Sequence, residues 1–217
     1  MNIEQARFNM IEQQIRPWDV LDQGVLSLLA VVKREDFVPA AYKALAFVDT
    51  DVPLPNGQCM LAPKVQARLL QELDVHKHET VLEIGTGSGY TAALLGHKAQ
   101  QVISLEQDAQ LAEMARANLR RASVTNVSVR QADGSKGLPE EGPFDVILLS
   151  GSVAEVPPAL LAQLKIGGRL AAIVGQLPVM CATLFTRKGE HDFASTVLFD
   201  TAAPRLSGFP EPTRFKF

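Results

Sequence analysis

Cysteine, excess positive charge and long apolar runs are all scarce in this sequence. Its two cysteines, Cys59 and Cys181, show no metal-ligand spacing, so neither a disulfide framework nor a zinc cluster is expected. Each reads as a small buried hydrophobe rather than a nucleophile. The four histidines, His76, His78, His97 and His191, lack partner spacing for zinc or for a triad and read as surface or cap residues, so no metal is expected. With 21 basic against 24 acidic side chains the net charge is −3, which argues against a general polyanion-binding surface and hence against nucleic acid as a partner. No apolar run approaches the roughly 18 residues of a membrane span, so no membrane partner is expected. Met1-Asn2-Ile3-Glu4-Gln5 offers neither a basic leader nor an apolar export segment, and the expected location is cytoplasmic. Glycine-rich or serine-rich linkers and internal repeats are absent too.

What remains is ample for a core: 47% of the 217 residues are hydrophobic, enough for one large domain or one domain with a modest extension. Within it, one stretch organises the rest. Val81–Ile84 reads as a buried strand, Gly85-Thr86-Gly87-Ser88-Gly89 places three glycines at alternate positions, and Tyr90–His97 reads as a helix. A strand that runs through glycines into a helix leaves bare backbone and free N–H groups facing a ligand. The dinucleotide fingerprint G-x-G-x-x-G would need a glycine where Tyr90 stands. The pattern is instead Glu83-x-Gly85-x-Gly87-x-Gly89, which resembles motif I of class I S-adenosylmethionine-dependent methyltransferases. Glu83 would then orient the ligand's ammonium, directly or through water.

Upstream, residues 1–79 read as a helical N-terminal extension carrying a substrate-side loop. Apolar residues from Ile3 to Ile15 predict a helix over 3–16 that ends at Arg16-Pro17. Either Asp19 or Asp22 caps the next, with Val25, Leu26, Leu28, Leu29 and Val32 as its buried stripe. Lys33-Arg34-Glu35 reads as a solvated break. A third element begins at Phe37-Val38-Pro39, and residues 51–63 form a proline-containing loop whose apolar Cys59-Met60-Leu61 tip calls for a cover. A helix from about Pro63 buries Val65, Leu69, Leu70 and Leu73.

Residues 80–217 alternate strand and helix. After Val81–Ile84 come strands at Gln101–Leu105, Val127–Arg130, Phe144–Leu149 and Arg169–Val174, with helices Asp108–Arg121 and Pro158–Leu164 among them. Met180–Thr186 and Ser195–Phe199 follow without an intervening helix and read as an antiparallel edge hairpin. The expected fold is therefore α/β: a Rossmann-like, seven-stranded, mostly parallel sheet with an antiparallel edge hairpin, plus the N-terminal extension.

In such sheets ligands bind beyond the carboxyl ends of the strands. Glu106 ends the second strand and could accept two hydrogen bonds from a ribose diol. Asp133-Gly134 follows the third, where the Asp would accept from an adenine amino group; it also reads as a plain Asp-Gly turn. Ser150-Gly151-Ser152 ends the fourth and would floor the reacting methyl; it also reads as a plain turn.

With these pieces placed, residues 8–174 resemble the protein-L-isoaspartate O-methyltransferase family. The segments that carry the resemblance are Arg34-Glu35-Asp36-Phe37-Val38-Pro39, Ala41-Tyr42, the Gly57–Pro63 loop, Val81–Tyr90, Pro157–Leu161 and Leu164–Leu170. The resemblance implies S-adenosylmethionine as cofactor, S-adenosylhomocysteine as product, and methylation of the α-carboxylate of an isoaspartyl residue in damaged proteins or peptides. It also implies cofactor contacts from Glu83, Gly85, Thr86, Gly87, Ser88, Gly89, Glu106, Asp133 and Gly134, and a substrate side at Cys59, Met60, Leu61 and Ser150. The family loop usually reads Gly-x-Thr-Ile-Ser-x-Pro, with the serine hydroxyl beside the substrate carboxylate. Here Leu61 stands at the serine and Cys59 at the threonine. Leucine cannot donate a hydrogen bond, which leaves open two alternatives: a methyltransferase for another acceptor, such as a small molecule, or a cofactor-binding module without catalysis.

Overall fold

A computed structural model describes residues 2–211. The N-terminal layer opens with α1 (Ile3–Met10), whose start is capped by the Asn2 side chain. The expected helix over 3–16 does not stay α-helical: it widens into a π turn at Ile11–Ile15 and tightens into a 3-10 turn at Arg16–Trp18 before Asp19 turns left-handed at φ 60°. Asp22, not Asp19, caps α2 (Gln23–Val31), accepting from the Val25 N–H at 2.7 Å. Two 3-10 turns, Arg34–Asp36 and Ala40–Leu45, lead to a two-stranded ribbon of β1 (Val52–Pro53) and β2 (Cys59–Met60). Pro63 then opens α3 (Pro63–Leu73), where its missing N–H costs nothing.

The sheet begins with β3 (Thr80–Ile84), and α4 (Tyr90–Lys98), β4 (Gln101–Glu106), α5 (Ala109–Arg121), β5 (Val127–Gln131) and β6 (Phe144–Val153) follow. Helix α6 is only Pro158–Leu161, shorter than expected. Leu164 already pairs with Phe144 as the start of β7 (Leu164–Gln176), which bulges between Leu164 and Arg169, opposite Phe144 and Val146 of β6. The hairpin of β8 (Val179–Arg187) and β9 (Phe193–Asp200) completes a seven-stranded sheet of order β5-β4-β3-β6-β7-β8-β9. The first five strands are parallel; β8 is antiparallel to both β7 and β9, so the expected edge hairpin is present.

The chain winds outward from β3 to β5 and returns to β6, beside β3. The carboxyl tips of β3, β4 and β6 therefore meet at the switch in winding direction, the general place for a ligand. One core face joins the N-terminal layer to the sheet, with Met10, Ile15, Leu29 and Leu70 in the same apolar cluster as Leu94, Val102 and Val146. The other sheet face packs Leu82, Ile103, Ile147 and Leu170 against α6 and, unexpectedly, against Phe209 of the C-terminal tail. Among the described residues, no helix is long and apolar enough to cross a membrane.

Candidate active site

A cleft of about 350 Å³ lies over the tips of β3, β4 and β6. Gly85, Gly87, Glu106, Gly134, Ser150 and Cys59 line it, together with apolar Ile84, Leu105 and Leu111. A smaller compartment of about 20 Å³ adjoins it, walled by Met60, Leu61, Gln66, Thr86, Ser88 and Tyr90. Cys59, Gly85, Gly87 and Ser150 border both. The structure thus brings most of the sequence-nominated residues to one place and sets Glu83, Gly89 and Asp133 behind it.

The elbow owes its shape to three left-handed glycines, Gly85 at φ 93°, Gly87 at φ 54° and Gly89 at φ 84°. Their missing side chains make room for protein neighbours. A Cβ on Gly89 would sit 3.2 Å from Ala115 on α5, and one on Gly85 would meet Leu206 of the tail at 2.8 Å. The backbone edge of Gly85 and Gly87 is what faces the cleft.

Glu83 is fully buried, so it does not reach a ligand directly. Its carboxylate accepts from Ser104 Oγ at 2.6 Å and from Ser150 Oγ at 2.8 Å, and Thr86 Oγ1 lies 2.6 Å from Ser104 Oγ. Burial pushes its pKa up to about 7, the two serine hydrogen bonds oppose that, and Glu106 adds to it. Glu106 stands at the cleft edge. One of its oxygens accepts from the Gly87 N–H at 2.9 Å and the other from the Asp108 N–H at 3.0 Å, which fixes the carboxylate and leaves lone pairs on the cleft side. Asp133 spends an oxygen on the Ser135 N–H at 2.9 Å, an Asx turn, and abuts Gly208; Gly134 alone of that pair lines the cleft.

On the opposite wall the apolar loop tip is covered, as its sequence requires. Met60 and Leu61 are buried, and Asp51 accepts from the Ala62 N–H at 2.8 Å. The Cys59 thiol is half-buried, not fully so as expected; burial and Asp51 push it up to about 12, which leaves it a poor nucleophile. Cys181 is likewise only half-buried.

Two contributors were not assigned a role by residue in the sequence, although the tail from Pro204 was expected to cover or reshape the cleft. Arg34 is entirely buried, against the expectation of a solvated break: it donates to Gln66 Oε1 and, at 2.9 Å, to the Leu61 carbonyl, and its guanidinium lies 5.2 Å from the Tyr90 ring centroid. No periodicity signals such a residue; only its place just before Phe37-Val38-Pro39 set it apart. The tail is the second. Leu206 lies against Gly85 and Gly151, its N–H donates to Ser152 O at 2.9 Å, and Ser152 N–H donates to Pro204 O at 2.8 Å. An apolar residue two places beyond Pro204 is a faint signal that the tail packs. Expectations for 212–217 lie outside the described residues. Asn56 closes the mouth by donating to Asp108. Among the described residues, no His, Cys, Asp and Glu cluster could hold a metal.

A family model described as protein-L-isoaspartate(D-aspartate) O-methyltransferase matches residues 5–202. A protein-L-isoaspartate O-methyltransferase of Koribacter versatilis is 42% identical over 202 residues, 93% of this chain and 90% of its own. One of Methanoculleus marisnigri is 41% identical over 169 residues, 78% of this chain and 77% of its own. Among solved structures, a Plasmodium falciparum protein of that designation, in complex with S-adenosyl-L-homocysteine, superposes with a TM-score of 0.82. It covers 95% of this chain and 99% of its own at 21% identity, a likeness of fold.

Proposed function

Because the chain belongs to the protein-L-isoaspartate(D-aspartate) O-methyltransferase family, we propose that this cleft methylates the free α-carboxylate of isoaspartyl residues in damaged proteins or peptides. The cofactor is S-adenosylmethionine, which when bound supplies an electrophilic methyl group on a sulfonium. The observation that carries the reading is the continuity of the cleft. It runs from Gly134 and Glu106, past the bare backbone of Gly85 and Gly87, into the compartment walled by Leu61.

On this reading Ile84, Leu105 and Gly134 would border the adenine and Glu106 would accept from the ribose. Gly85, Thr86, Gly87 and Ser88 carry the amino-acid end, while Gly89 holds the elbow in shape and Asp133 shapes the turn beside Gly134. Ser150, held by buried Glu83, stands at the junction of the two compartments. Residues 80–217 form the donor-binding core, and residues 1–79 bring the acceptor side through Cys59, Met60 and Leu61.

A carboxylate acceptor is already anionic at neutral pH, so the chain need supply no general base. Its own work is to hold one acceptor oxygen in line and to keep water out, tasks suited to the buried Met60 and Leu61 wall. Incubation with methyl-labelled S-adenosylmethionine and an isoaspartyl peptide, beside the same peptide with normal aspartate, tests the reading. Labelled ester on the isoaspartyl peptide alone is expected. No label above the aspartyl control overturns it.

A further inference from the structure

Arg34 has no obvious reason to be where it is. Its guanidinium is sealed from water, yet among the described residues it makes no salt bridge. Glu35, its neighbour in sequence, is taken by Arg7. Asp51 reaches it through its field only, without a salt bridge. Its partners are neutral: Gln66 Oε1, the Leu61 carbonyl and the face of Tyr90, while its Nε has no partner at all. Burial lowers its pKa to about 10, and it stays charged at neutral pH.

Those three neutral partners share a property. Leu61, Gln66 and Tyr90 all line the inner compartment, which is large enough for one water-sized group such as a carboxylate oxygen. A cation therefore stands one layer behind the wall against which, on the proposed function, an anion must be desolvated. A buried charge without an ion-pair contact is costly, and in a low-dielectric wall its field is little screened.

We propose that Arg34 is a positioning residue for the methyl acceptor, its guanidinium behind the Leu61 wall supplying the positive field that seats the acceptor's carboxylate. The proposal rests on the isoaspartyl reading and names what stands in for the hydroxyl that Leu61 lacks. Arg34 touches neither substrate nor methyl donor. It acts through the loop whose Leu61 carbonyl it holds and through charge. Gln66, held by Arg34 and donating in turn to Thr91 Oγ1 at 2.7 Å, ties the same group to α4.

The test separates field from scaffold. Binding of an isoaspartyl peptide, and of the same peptide with that free α-carboxylate replaced by a carboxamide, is measured by calorimetry. Saturating S-adenosylhomocysteine is present so that no turnover occurs. Wild type should prefer the carboxylate about tenfold, the size expected when one charge faces another in a partly desolvated site. Arg34→Met should erase that preference while the carboxamide peptide and S-adenosylhomocysteine bind within about twofold of wild type, and Arg34→Lys should keep most of it. Equal weakening of both peptides in Arg34→Met reduces Arg34 to a scaffold and overturns the proposal. Should Arg34→Met not fold, wild type still decides: equal affinity for the two peptides refutes it. Wild type that methylates isoaspartyl peptide yet shows no preference sinks this inference alone. Wild type that methylates none strikes the proposed function instead.

Discussion

The two halves of the cleft are built on different principles. The donor half is local: strand, glycine elbow and helix follow one another from Thr80 to Lys98, and Glu106 is fixed by the N–H groups of Gly87 and Asp108. The acceptor half is an assembly. Leu61 comes from one loop, Gln66 from α3, and Arg34 from a turn 27 residues before the carbonyl it holds. Even the donor half takes a distant piece, the tail's Leu206 laid on Gly85. A local site tolerates little change in its own backbone, whereas an assembled one tolerates changes that leave its partners seated.

The largest expected effect follows from that contrast. Gly89→Leu forces a side chain into a left-handed residue at φ 84°, 3.2 Å from Ala115 backbone, with nowhere to move. A loss of about 4 kcal/mol in urea unfolding is expected, with S-adenosylhomocysteine binding gone. Gly57 in the acceptor loop is left-handed too, at φ 73°, but open space surrounds it. Gly57→Ala should cost only about 1 kcal/mol. Equal losses at the two sites would erase the distinction between the halves.

The same contrast explains what could be read from the chain itself. Val81–Ile84 is apolar but for Glu83 and its glycines follow at once, so strand, turn and helix were legible, as were the strand ends bearing Glu106 and Ser150. Sequence spacing could not say that Glu83 would be sealed behind Ser104 and Ser150, because that depends on which residues face it across β4 and β6. Arg34 was misread for a related reason. A charged triplet looks solvated until Leu61, Gln66 and Tyr90, all distant in sequence, close around it. Leu206 carried only a faint local signal, since its fit depends on the bare faces of Gly85 and Gly151.

Glu83 yields the next effect in size. Its folded pKa of about 7 lies above the ordinary 4.5, so between those values the folded protein holds a proton that the unfolded chain has released. Stability from this group is therefore present below about pH 4.5 and is lost as pH rises to about 7. Glu83→Gln removes the titration. The stability of the variant relative to wild type should rise by on the order of 3 kcal/mol between pH 4.5 and pH 8 in urea melts, and parallel profiles would show that the carboxyl is not held neutral.

Glu106→Gln should act on the donor half alone. It removes the charge and turns one acceptor oxygen into a donor beside the Gly87 and Asp108 N–H groups. Calorimetry should show S-adenosylhomocysteine weakened about 30-fold, with the isoaspartyl peptide KM little changed at saturating cofactor. A change confined to the peptide would place Glu106 on the wrong side of the cleft.

Leu61→Ser is the smallest and the most discriminating change, because it acts on the acceptor wall without touching the carbonyl that Arg34 holds. Removing a buried leucine should lower stability by about 2 kcal/mol. The new hydroxyl opens onto the inner compartment beside Thr86 and Ser150, where it can donate to an acceptor oxygen. A rise of about threefold in kcat/KM for the isoaspartyl peptide is expected, under 1 kcal/mol, because the field of Arg34 already meets most of the need for positive charge. The gain should grow to about thirtyfold in an Arg34→Met background, where the hydroxyl has no such help. Equal gains in both backgrounds would mean that Leu61 and Arg34 serve the acceptor independently, and the assembled half would then be no more cooperative than the local one.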